Sequence, residues 1–78
     1  MLTLDDFNTL TDYEKAEAVW SGSFLADREE DDLRAQLYSL PVFYVEVVYD
    51  AIGNEIVAFR AFTNKQLLAP YLAQIKIV

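Results

Sequence analysis

The stretch from Val42 to Asp50 constrains this chain more than any other, because it is almost wholly β-branched or aromatic and its only charges, Glu46 and Asp50, fall at even positions. Successive side chains of a strand point to opposite faces. A strand here therefore turns Phe43, Val45, Val47 and Tyr49 toward a core and Tyr44, Glu46 and Val48 the other way. Pro41 stands just before it, where a missing N–H costs no ladder bond.

Glu55 to Thr63 repeats the pattern, with Val57, Phe59 and Ala61 uncharged and Arg60 on the opposite parity. Both segments bury their odd positions, and register must satisfy both. A three-residue loop over Ile52, Gly53 and Asn54 gives that parity and sets Glu46 opposite Arg60. The outer face then carries Tyr44, Val48, Ile56 and Phe62, with Tyr38 and Arg34 of the preceding strand as further candidates. This is more apolar than a solvated face requires, so two readings stay open, a partner surface or plain packing. A Glu46–Arg60 pair likewise fits a register device or a binding group.

Helical spacing governs both ends. Thr3 with Asp6 and Thr11 with Glu14 have capping-box separation. Leu4, Phe7 and Leu10, and then Tyr13, Ala16, Val19 and Trp20, recur as apolar stripes, while Asp12, Glu14, Lys15 and Glu17 face away. Trp20 is expected to anchor the core rather than to present a ligand platform, and Gly22 to end the helix. Ser23–Glu29 and Leu33–Leu40 flank the acidic run Glu29–Asp32 and read as a hairpin. Near the end, Thr63 and Gln66 have capping spacing, with Leu67, Leu68, Tyr71, Leu72 and Ile75 as the apolar face. Pro70 requires that helix either to begin near Leu67 or to kink.

The expected fold class is α+β in two layers. N-terminal helices occupy about 3–20, a four-stranded antiparallel meander runs at about 23–29, 33–40, 42–50 and 55–63, and a C-terminal helix follows at about 64–75. With 78 residues, 54% of them hydrophobic, and only two glycines and two prolines, the chain reads as one ordered domain over 1–78.

Neither cysteine nor histidine occurs. This excludes disulfides, thiolate zinc sites and cysteine nucleophiles, and it removes the commonest general base and metal ligand. Two glycines leave no room for a phosphate-cradling loop, and the acidic run lacks the ligand spacing and turn glycine of a calcium loop. No catalytic residue, metal ligand or cofactor is assigned, and a non-enzymatic protein is expected. Charge is uneven: residues 1–32 hold ten of the 13 acids against Lys15 and Arg28, net −8, and the remainder sums to +1. Such a field repels nucleic acid and anionic membrane surfaces. Residues 1–12 carry three acids and no basic or apolar leader, so cytoplasmic residence is expected.

Trp20, Gly22, Phe24, Leu25 and Arg28, then Leu37, Tyr38 and Leu40, the run Phe43–Val47 with Tyr49, and finally Pro70, Tyr71 and Leu72 form an ordered set of motifs. By these the chain resembles small uncharacterised proteins of Bacteroidetes across nearly its whole length. The resemblance implies a compact cytosolic domain and carries over no activity, cofactor, partner or site residue.

Three functions follow as expectations. The first is an interaction module, pairing with itself as a homodimer or with another protein through Tyr38, Tyr44, Glu46, Arg60 and Phe62. The second is an acidic decoy or regulator of a basic protein, presenting Asp27, Glu29, Glu30, Asp31 and Asp32. The third is a small ligand-binding domain or carboxylate-based enzyme, with Glu46 beside Tyr44 as one possible pair.

Overall fold

The structure, a computed structural model, describes residues 2–71. Two helices, α1 (Leu4–Asn8) and α2 (Asp12–Trp20), precede four strands, β1 (Ser23–Glu30), β2 (Leu33–Ser39), β3 (Tyr44–Asp50) and β4 (Glu55–Phe62). The strands form one antiparallel sheet in the order β1-β2-β3-β4. No helix among the described residues is long and apolar enough to cross a membrane.

Both capping boxes form. The Thr3 and Thr11 hydroxyls accept from the amides of Asp6 and Glu14, each at 3.2 Å, and those carboxylates accept in return from the threonine amides at 3.3 and 3.0 Å. Reciprocal capping satisfies amides that a short helix otherwise leaves bare. α2 ends at Trp20 with Ser21 as its cap, and Gly22 follows without the left-handed turn expected of a glycine terminator; it is required instead by close approach, since a Cβ there would lie 2.7 Å from the Ser39 carbonyl oxygen. The helix end and the end of β2 can therefore touch only through glycine. Both hairpin turns use short polar residues in the left-handed region, Asp31 at φ 56° and Asn54 at φ 55°.

Glu46 does face Arg60 across β3 and β4, although the parity arises differently from the sequence expectation. The loop between Asp50 and Glu55 has four residues, and the register shifts by one between Val48 and Tyr49. A bulge at Val57 supplies the odd residue. Its consequence reverses two assignments: Val57 is 60% exposed rather than in the core, and Ile56 pairs with Tyr49 on the helix side. A second shift, at Leu25 in β1, puts Phe24 opposite Tyr38 and Ala26 opposite Leu37.

The helices cover part of one face. Phe7 and Val19, both fully buried, pack with Leu40, Phe43, Val45 and Val47. The Phe7 ring lies 5.5 Å from Phe43 and 6.4 Å from Phe59, and burial of one such side chain contributes roughly 1.5–3 kcal/mol. Within α2 only Ala16 and Val19 are buried. Trp20 is 58% and Tyr13 is 74% exposed, which corrects the expectation that Trp20 anchors the core. The helix has one narrow seam, and Val19 fills it.

The opposite face is also partly covered, which amends the two-layer expectation. Lys65–Tyr71 forms a 3₁₀ helix, η1, in place of the first part of the expected α-helix, and residues 72–75 of that expectation lie outside the described residues. Pro70 has no N–H to close an α-turn onto Gln66, which favours the tighter coil. Its start is set by Asn64 rather than Thr63, the Asn64 side chain accepting from the Gln66 amide at 2.9 Å. Leu68 and Tyr71 pack over Ala26, Ala35 and Leu37, with Tyr44 and Phe62 alongside.

Candidate binding surface on the outer sheet face

Register lays out the outer face in cross-strand rows. Ser39, Tyr44 and Phe62 form the first, Ala26, Leu37, Glu46 and Arg60 the second, and Arg28, Ala35, Val48 and Ala58 the third. η1 covers the first and part of the second. In the third row, small side chains between larger ones leave a trough. A cavity of about 270 Å³ lies there, lined by Arg28, Glu30, Leu33, Ala35, Val48 and Arg60 together with Asp31 and Glu46. A smaller one of about 220 Å³ lies between Leu67, Phe62 and the same Arg28, Glu46 and Arg60. Both fall below the roughly 300 Å³ at which ligand pockets usually begin.

Glu46 stands between the two cavities and is itself only 7% exposed. A buried carboxylate requires compensation, and three groups supply it. The Tyr71 hydroxyl donates to Oε2 at 2.5 Å. Arg28 Nη2 lies 3.5 Å from the same oxygen, and Arg60 Nη1 lies 3.6 Å from Oε1. The phenol contact is the tight one, while the arginines act as nearby charges. Burial, and then the Glu46 carboxylate, raise the Tyr71 hydroxyl well above the ordinary tyrosine range. The Arg28 guanidinium sits 5.6 Å from the Tyr71 ring centre and pairs with Glu30 at 2.7 Å. Its Nε is buried without a hydrogen-bond partner among the described residues.

The sequence-assigned surface residues are only partly assembled. Glu46, Arg60, Tyr44 and Phe62 share the outer face, where the Tyr44 and Phe62 rings stack at 5.7 Å. Tyr38 and Arg34 do not join them. They pair with Val45 and Tyr49 and so lie on the helix side, where Tyr38 meets Phe24 edge-on at 5.6 Å. β2 alternates cleanly, Leu33, Ala35 and Leu37 against Arg34, Gln36 and Tyr38, but its apolar set lies on the outer face, and only pairing with β3 shows which face that is. The phenol beside the Glu46 carboxylate is Tyr71 rather than Tyr44. Arg28 and Tyr71 were not singled out as site residues, because Arg28 reads as one member of an acidic segment and Tyr71 as one member of an apolar helix face.

The acidic tip is split between faces. Glu30 joins the trough with Asp31, whereas Glu29 is held by Arg34 at 2.6 Å and Asp27 also lies in the field of Arg34. Asp31 and Asp32 are exposed in the turn. Among the described residues, no three histidine, cysteine, aspartate or glutamate side chains are placed to hold a metal ion. No protein family, curated protein or solved structure was found to match this chain.

Proposed function

We propose that the chain is a small non-enzymatic interaction module that pairs with a second copy of itself through the open half of its outer sheet face. The observation that carries this reading is the charge layout of the trough. Arg60 lies on β4, Glu30 and Asp31 lie at the β1–β2 end, and a floor of Ala35 and Val48 lies between. A two-fold interface brings each residue onto its counterpart's partner. In such a pair Arg60 of each copy meets the acids of the other, and the exposed Leu33 and Leu67, 44% and 54% accessible, close over the apolar floor.

Glu46 serves this arrangement by drawing Arg28 and Arg60 toward one point of the face as a nearby opposite charge. Light scattering after size exclusion tests the reading. Wild type is expected to run as a dimer, and the variant combining Leu33→Asp with Arg60→Glu as a monomer with an unchanged circular dichroism spectrum. A wild-type monomer over the accessible concentration range refutes it, as does a variant that remains dimeric.

A further inference from the structure

On the far side of the sheet, α2 exposes aromatic surface that the outer-face reading does not use. Tyr13 and Trp20 are seven residues apart, so they stand on one ridge of the helix about 10 Å apart along its axis. They are 74% and 58% exposed, although Ala16 and Val19 beside them are buried. Phe24, 53% exposed, follows at the start of β1, where it pairs with Tyr38. Exposed aromatic side chains grouped in this way mark contact sites on small domains.

The charge around the ridge defines what it fits. Asp12, Glu14 and Glu17 are exposed on the same helix, and its single cation, Lys15, is turned back over the Phe7 ring at 5.7 Å. A second copy would bring acid against acid at this face, and nucleic acid or an anionic membrane would be repelled equally. Aromatic rings flanked by carboxylates are complementary to lysine and arginine, through ring–cation contact and ion pairing together. The geometry points to the Tyr13–Trp20 ridge as the docking site for a basic amphipathic helix of another protein. Apolar side chains of that helix cover the two rings, and its lysines or arginines reach Asp12, Glu14 and Glu17. This site is separate from the outer face and stands whether or not the chain self-pairs there.

Trp20 is the single tryptophan of the chain, so its emission reports directly on the ridge. The experiment titrates full-length protein with a helical leucine–lysine amphipathic peptide and with its leucine–glutamate counterpart. A saturable blue shift with the lysine peptide alone is expected, weakening as salt is raised. Labelled-peptide anisotropy should show affinity falling by about fivefold to tenfold or more in Tyr13→Ala and in Glu17→Lys, both exposed positions whose change leaves the fold intact. Unchanged affinity in Tyr13→Ala reduces the binding to bulk electrostatics and overturns the assignment. An unshifted Trp20 at peptide saturation does the same. An emission shift produced by raising protein concentration alone gives the ridge to a second copy, and likewise overturns it.

Discussion

The two faces of the sheet are built from the same strands yet held by different forces. On the helix side, Phe7, Val19, Phe43, Val45 and Val47 make a dry core in which shape complementarity sets stability. On the outer side, a buried carboxylate gathers one phenol and two arginines under a single 3₁₀ turn, leaving the neighbouring row open. The strand β3 serves both faces through alternation alone, Val45 and Val47 on one and Glu46 on the other. One face is thus closed by its own helices over Phe43, Val45 and Val47 but open toward Arg34, Gln36 and Tyr49, and the other keeps polar groups arranged at the edge of an unfilled trough.

Substitutions on each face sharpen that contrast. The largest effect is expected on the helix side, where Phe7→Ala should cost about 3–5 kcal/mol in urea unfolding, since it removes a fully buried ring with two aromatic neighbours. Next comes Glu46→Ala, at about 2–4 kcal/mol, because it strands the partly buried Arg28 and the Tyr71 hydroxyl. A smaller value would mean that the outer face is held by Leu68 and Tyr71 packing rather than by charge.

Tyr71→Phe should cost about 1–2 kcal/mol and should change the response to alkali. The folded state holds the Tyr71 proton more tightly than the unfolded chain, whose phenol titrates at the ordinary value of 10.0. The stabilisation is therefore complete below that pH and is lost as pH rises from it toward the raised folded value. Wild type should lose stability with pH above 10 more steeply than Tyr71→Phe, and absorbance titration should show a phenol ionising well above the ordinary tyrosine range that is missing from Tyr71→Phe. Equal slopes would remove the carboxylate–phenol link from the account. The smallest effect belongs to Arg60→Ala, within about 1 kcal/mol, since that side chain is 68% exposed.

Much of this architecture was legible beforehand, and what was not has local causes. Alternation in β3 and the two capping boxes follow from spacing, because one strand face and two helix starts each carry an unbroken signal, whereas Glu46 meets Arg60 through a four-residue loop and a bulge in place of the three-residue loop that the sequence suggests. The bulges at Leu25 and Val57 carry no residue signature, yet each shifts parity, and that is why Val57 and Ile56 were assigned to the wrong faces. The exposure of Trp20 was equally hidden. A nine-residue helix on a four-stranded sheet buries a seam only two side chains wide, and an aromatic side chain next to that seam fits the same periodicity. Of the outer cluster, Glu46 and Arg60 were visible, while Arg28 and Tyr71 meet them only through a bulged strand and a 3₁₀ turn.

The central claim, that the open half of the outer face is self-complementary, is tested most directly by exchanging its charges between two chains. Arg60→Glu and Glu30→Lys are prepared separately, and each is measured by light scattering alone and then in an equimolar mixture. The account predicts that each variant is monomeric by like-charge repulsion and that the mixture forms a heterodimer, in which Glu at position 60 meets Lys at position 30 and the native Arg60 meets the native Glu30. A mixture that stays monomeric, or single variants that dimerise as wild type does, would contradict it.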